Sequence, residues 1–160
     1  MERIAGRLAD VIRTLAGILL VVVTLAMGAV ILGRYAGFAT AWADEVARIA
    51  FIWSVALGAA SGTYRGLNFA IPLIATNRRG RTRQVLESVI ALVVVALCLI
   101  MAWATTQSLP VAALARLPAL GITGATFHAA IATFAVLTAA FMLVKLVQLW
   151  QDAAPDTEVG

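Results

Sequence analysis

Apolar positions along this chain come in four long blocks, and short segments between them hold nearly all of the charge. Met1 to Leu15 repeats with helical period. Ile4, Leu8, Val11, Ile12 and Leu15 fall on one side, and Arg3, Arg7 and Asp10 on the other. A basic amphipathic segment feeding a longer apolar run predicts an interfacial lead-in to a membrane helix. The first block, Thr14 to Gly33, has twenty residues without a charge, about the length that crosses a bilayer core. Ala39-Thr40-Ala41 resembles a signal-peptide cleavage site. However, the apolar run exceeds the roughly 7–15 residues of a signal h-region, and Arg34 and Tyr35 intervene, which favours an uncleaved helix.

Gly37 to Ala41 reads as a short connection, and Trp42 opens the second block. Asp44, Glu45 and Arg48 follow, three or four residues apart, where opposite charges on one helical face can pair. Sixteen uncharged residues, Ile49 to Tyr64, lead to a basic exit at Arg65. Ser54, Gly58, Ser61, Gly62 and Arg65 fall on one side at helical spacing. Gly58, Gly62 and Gly66 form two overlapping G-x-x-x-G steps, the pattern that lets membrane helices approach closely. This groove could hold the chain's own first or third helix, a partner subunit, or lipid. Beyond it, the stretch through Pro72 to Asn77 is too short and broken to cross a membrane, and is expected along its surface.

The third block lies within Ser88 to Thr106, the first part of a 28-residue charge-free run, with Pro110 expected to end or kink its helix. Arg116, Pro118, Gly121 and Gly124 predict an irregular, tight loop. The fourth block runs from about Ala125 to Leu149, with Trp150 as an interfacial anchor. The expected spans are about 14–33, 45–64, 87–107 and 125–149, within one four-helix domain covering 1–150. Residues 151–160, with Asp152, Asp156 and Glu158, read as a disordered acidic tail.

Composition sharpens this picture. The chain is 62% hydrophobic and 12% charged, against about 45–50% and about 25% in soluble domains. An all-α integral membrane protein is the expected class. Cys98, the single cysteine, sits in an apolar run and excludes an internal disulfide or a cysteine-based metal cluster. The net charge of +4 does not point to nucleic acid, because the basic residues cluster between apolar runs. Four spans put both termini on one side. That side would carry Arg3, Arg7, Arg13, Arg65, Arg78, Arg79, Arg81, Arg83 and Lys145, and the opposite side Arg34, Arg48 and Arg116. By the positive-inside rule both termini are expected in the cytoplasm.

Chemistry is sparse. The first and third blocks contain no charged group, and Glu87 stands at the mouth of the third. A self-sufficient transporter or enzyme usually carries such groups inside the membrane. His128, the only histidine, lies near the outer end of the fourth block and could supply one haem ligand only if a partner supplied the other. No G-x-x-x-x-G-K-[ST] phosphate loop is present. No cofactor or metal is expected.

The ordered set Trp42, Glu45, Arg48, Trp53, Leu57-Gly58-Ala59 and Arg65-Gly66 resembles the small membrane subunit of tripartite ATP-independent periplasmic (TRAP) transporters, the DctQ-like family. The likeness is strongest from Arg34 to Pro72, with an echo at Leu117-Pro118-Ala119-Leu120-Gly121-Ile122. Two departures stand out: Asn68 where that family commonly has a histidine, and Pro72 where it often has an acidic residue. The resemblance implies a bacterial inner-membrane subunit that is not an enzyme. A periplasmic binding protein would capture a carboxylate-bearing substrate, and a larger membrane subunit would carry it inward with sodium ions. This chain would brace that subunit and help dock the binding protein. Candidate interface residues are Trp42, Asp44, Glu45, Arg48, Ser54, Gly58, Gly62, Arg65 and Gly66. Two other readings are a membrane anchor of a redox complex, using His128, and a small homo-oligomeric exporter.

The charge asymmetry makes the topology testable. Cysteines placed at Thr82 and Thr157 should react with a membrane-impermeant thiol reagent only from the cytoplasm, and one at Ala39 only from outside. Labelling of Thr82→Cys from the outer face would overturn the four-span arrangement.

Overall fold

The computed structural model describes residues 2–64 and 81–151. Four helices account for most of them: α1 (Glu2–Ala36), α2 (Ala41–Tyr64), α3 (Arg81–Leu114) and α4 (Ala125–Gln151). The surface segment expected around Pro72 and the tail beyond Gln151 lie outside the described residues. Each helix is long and apolar enough to cross a membrane. Among the described residues the only extended pairing is an isolated antiparallel bridge, Arg116 with Thr123.

The amphipathic lead-in and the first span are one helix. At about 1.5 Å per residue, the 35 residues of α1 measure about 52 Å, well beyond the roughly 30 Å hydrocarbon core. Its packed seam is not the Leu8/Val11/Leu15 side, which is exposed. The buried positions are Ala9, Ile12, Ala16, Ala26 and Gly33, and the half-buried Leu19, Val23 and Val30 fill the same three-four spacing. Large apolar side chains gain little by leaving lipid, whereas small ones let backbones close on each other. That preference explains the inversion relative to a soluble amphipathic helix.

Gly37, with φ of 76°, ends α1. Phe38 N–H then reaches back to the Gly33 carbonyl at 2.9 Å, the bond that closes a Schellman cap. A side chain at Gly33 would overlap the Thr40 methyl group. A larger residue there would require the Thr40 side chain to turn away. Thr40 starts α2 by accepting from the Ala43 N–H at 3.0 Å.

Helix α2 is the centre of the assembly. In its apolar window 44% is buried, against 11% for α1 and for α3 and 28% for α4. At about 100° per residue its buried residues divide into two stripes. Ala43, Ala47, Ala50, Ser54 and Ser61 form one, and Glu45, Ala56, Ala60 and Thr63 form the other, about half a turn round. The first stripe meets α1: Ser54 Oγ donates to the Ala16 carbonyl at 2.9 Å, and a Cβ at Gly58 would stand 3.9 Å from that of Ala16. The second faces α4 and the α3–α4 loop. Helix α4 in turn packs on α3, whose buried Ala91, Cys98, Thr105 and Ala112 recur every seven residues. That spacing suits the shallow left-handed crossing of paired helices. The spatial order is thus α1, α2, α4, α3.

Pro110 does not end α3, which continues to Leu114. Proline leaves the carbonyl four residues earlier without its usual donor. Here that carbonyl belongs to Thr106, which is exposed, so the loss falls at the rim of the packed region. At the opposite end, Ala9, Ile12 and Phe141 form a small core with Leu57, Tyr64 and Leu137 against it. The Tyr64 and Phe141 rings lie 5.3 Å apart and tilted. This cluster ties the start of α1 to the later parts of α2 and α4, so that α1 runs antiparallel to both and α2 and α4 run parallel to each other.

The Ser54–Ala16 crossing predicts the outcome at Gly58. Gly58→Leu should force α1 outward, at a cost of about 1–3 kcal/mol, and lower the melting temperature of the purified chain. Gly58→Ala should leave it nearly unchanged, because a methyl at 3.9 Å is in ordinary contact. Equal stability of the leucine variant and the parent would show that α1 does not occupy this face.

Candidate functional site

The polar side chains that the sequence placed at the start of α2 converge at the end of the bundle where both short connections lie. Asp44 and Arg48, four residues apart, pair along the helix surface at 3.0 Å, with both side chains about half exposed. Near the N-terminus of α2, Asp44 also faces the positive end of the helix dipole.

Glu45 points the other way and is 7% exposed. Its carboxylate accepts two backbone N–H groups of the loop after α3: Ala119 to Oε1 at 3.0 Å and Leu120 to Oε2 at 2.8 Å. Bonds to a charged acceptor are worth about 1.5–3 kcal/mol each, and two successive amides on one carboxylate fix both position and orientation. The partners lie 74 and 75 residues away in sequence.

The loop is preshaped for this grip. Leu117 N–H donates to the Ile122 carbonyl at 2.8 Å, and Gly121 N–H to the Leu117 carbonyl at 2.9 Å. Gly121 takes a φ of 66°, which glycine alone adopts without strain. Gly124 N–H donates to the Ala115 carbonyl at 2.7 Å. A Cβ at Gly124 would sit 3.0 Å from the Ala112 carbonyl oxygen, so only glycine lets α4 start this close to the end of α3. Leu117 is buried beneath the loop, and Pro118 and Ala119 are exposed on its crest.

Between this loop and the start of α2 lies an open cleft of about 540 Å³, lined by Asp44, Glu45, Arg48, Arg116, Phe127 and His128 among others. The Nδ1 of His128 is buried and has no hydrogen-bond partner among the described residues. Arg116 is exposed, on the strand-like lip of the loop. Among the described residues no three His, Cys, Asp or Glu side chains come together to hold a metal.

Of the residues singled out from sequence, Trp42, Asp44, Glu45 and Arg48 lie at this end, with Trp42 half exposed. Ser54 and Gly58 face α1 at mid-helix, and Gly62 is half-buried toward the far end of α2. Arg65 and Gly66 lie outside the described residues. Sequence reasoning missed the pairing of Glu45 with Ala119 and Leu120 and the joint placement of Arg116 and His128 in the cleft. The L-P-A-L-G-I stretch and the Arg116, Pro118, Gly121 and Gly124 pattern marked the loop but not its partner.

Comparison with known families bears directly on this pairing. The family model described as tripartite ATP-independent periplasmic transporters, DctQ component, matches residues 23–152. The match spans α2, Glu45 and the loop that Glu45 holds. The chain belongs to the DctQ family. It is a multi-pass membrane protein and the small membrane component of a TRAP transporter. A search of curated proteins found no match. In this DctQ chain the matched region includes the helix that α1 and α4 pack around.

The Glu45 grip gives a local prediction. Glu45→Ala should destabilise the chain by about 1.5–3 kcal/mol and speed amide hydrogen exchange at Ala119 and Leu120. Glu45→Gln should rescue only in part, because its amide nitrogen cannot accept from the second N–H. Unchanged exchange at both amides in Glu45→Ala would show that the loop holds itself.

Proposed function

We propose that this chain is the non-catalytic small subunit of a sodium-coupled TRAP transporter in a bacterial inner membrane, with both termini cytoplasmic. It braces the large transport subunit and helps dock a periplasmic binding protein that delivers carboxylate-bearing substrates. The observation that carries this reading is where the polar groups lie. Thr14–Gly33, Ile49–Tyr64, Ser88–Ala115 and Ala129–Val144 hold no Asp, Glu, His, Lys or Arg. The carboxylates of α2 are engaged at its outer end, by Arg48 and by the loop. A coupled transporter needs groups at mid-membrane that bind and release ions or substrate, so in this reading those sites belong to the larger subunit.

The exposed apolar flanks of α1 and α3 suit a bracing role. Leu20, Val21, Leu25, Leu32, Leu92, Leu97, Leu99 and Ile100 are all at least half exposed, surface that either lipid or a second membrane subunit can cover. The nine-to-three distribution of Lys and Arg supports the orientation, which puts the Glu45 loop and its cleft on the periplasmic side. Trp42, Asp44, Arg48, Arg65 and Gly66 remain candidate contacts there and at the opposite end, and Ser54, Gly58 and Gly62 shape the helix that presents them.

Co-expression with a large hydrophobic partner of the same transporter tests the reading. The two membrane chains should co-purify, and proteoliposomes should take up an organic acid only with sodium, the large subunit and the binding protein all present. Sodium-dependent uptake by this chain alone would overturn the proposal, as would a haem absorption band in the purified chain.

A further inference from the structure

Two cavities of this chain lie one above the other. The outer one is the cleft between the start of α2 and the α3–α4 loop. The inner one, about 250 Å³, is lined by apolar side chains throughout: Phe51, Val55 and Ala59 stand for α2, Met101 for α3, and Ile131 and Phe134 for α4. Helical spacing puts the two in line. On α2, Asp44 and Arg48 are followed at three- and four-residue steps by Phe51, Val55 and Ala59. On α4, Phe127 leads to Ile131 and Phe134 in the same way, and on α3 Ala112 lies three turns from Met101 on one face. A single groove thus runs over α4, with α2 on one side and α3 on the other. It is charged at its mouth and apolar below.

Its dimensions and charges define what fits. From Arg48 to Ala59 the groove follows α2 for eleven residues, about 16 Å at about 1.5 Å each. One leaflet of a hydrocarbon core of about 30 Å is about 15 Å deep. A helix about 10–12 Å across cannot enter so narrow a space, whereas a single hydrocarbon chain can. At the mouth, the charges of Asp44, Glu45, Arg48 and Arg116 sum to zero, which matches a headgroup whose own charges cancel. Both Glu45 oxygens are taken by loop amides. Arg48 gives one N–H to Asp44 at 3.0 Å, and Arg116 is exposed. Guanidinium donors for a phosphate and a carboxylate for an ammonium are therefore both at hand.

We propose that this groove binds one zwitterionic phospholipid from the leaflet on the side where α2 begins. Its phosphate meets Arg116 and Arg48, its ammonium group meets Asp44, and one acyl chain runs down past Phe51, Val55 and Ala59. The chain fills the furrow between α2 and α3, which both pack on α4. The site requires only that the four helices cross a membrane, and does not depend on the transport role proposed above.

The test uses the full chain in proteoliposomes, alone and together with the large membrane subunit. The probe is a zwitterionic phospholipid carrying a photoreactive diazirine midway along one acyl chain, and labelled residues are mapped by peptide mass spectrometry. Labelling at Phe51, Val55, Met101 and Phe134 should saturate at a low mole fraction of probe. Labelling at Leu25, on the exposed flank of α1, should rise in proportion to the probe. Ala59→Phe, which fills the groove from within, should cut the groove labelling several-fold and leave Leu25 unchanged. Arg116→Gln, at an exposed position, should raise the half-saturating mole fraction roughly tenfold. Unlabelled lipid with the same headgroup should compete better than one with a net negative headgroup. Groove labelling that does not saturate, or that both variants leave unaltered, would overturn the proposal. Equal competition by the anionic lipid would overturn it too, by removing the headgroup match. So would loss of groove labelling when the large subunit is present, which would give the groove to that subunit.

Discussion

An apolar side chain gains almost nothing by leaving lipid for another helix, so membrane helices associate only where backbones come close enough for dense contact and hydrogen bonding. Everything in this chain follows from how α2 meets that constraint. It offers alanine, serine and threonine on two opposite faces, so two neighbours can approach it at once. On one side α1 comes near enough for a serine hydroxyl to reach a backbone carbonyl. On the other, α4 and the loop before it close in. Bulky residues such as Phe51 and Val55 are left on the faces between. Were either stripe made of leucine, the helix would still insert, but the row α1, α2, α4, α3 would not hold together.

A second constraint governs the ends. Loop amides need acceptors, and near a membrane surface water does not reach all of them. The carboxylate of Glu45 meets this need for two consecutive amides and ties the α3–α4 connection to the α1–α2 side of the bundle. Gly121 and Gly124 allow the loop to present those amides, one through its positive φ and the other by making room beside the Ala112 carbonyl. The grip leaves the loop with a defined shape although it contains no regular structure. A defined shape is what an outer surface needs if another protein is to recognise it at low entropic cost.

The mid-membrane layer is apolar, and charge lies at the two ends, with the carboxylates of α2 engaged where that helix begins. Such a distribution suits a subunit whose value to a transporter is shape and anchorage. It also explains why the chain looks exposed by soluble standards: α1 and α3 turn most of their apolar surface outward, toward whatever fills the membrane around them.

Much was legible in the sequence because membrane insertion is decided locally. Twenty uncharged residues cross a bilayer whatever their neighbours do, so the four helices could be read directly, and so could the short connection, placed at Gly37 to Ala41 although Ala41 already belongs to α2. The close-packing nature of α2 was equally legible, since small residues at helical spacing have few other uses. Which neighbour each small residue receives was not legible. Ser54 and Gly58 carry the same pattern whether α1, α3 or a partner lies against them, and only the assembled bundle seats α1 there. The helix also continues past Pro110, because the lost hydrogen bond falls at an exposed carbonyl, a fact about position and not about proline. Glu45 shows the division most clearly. Its charge near a helix start reads as a local dipole or ion-pair effect, and Arg48 three residues on invites that reading. Its actual partners are two amides more than seventy residues away, and backbone amides look alike in every sequence. Sequence by itself determined that four helices are long and apolar enough to cross a membrane and which of them is built for close approach. The tertiary structure decided what approaches it, because that depends on distances between segments that no local pattern records.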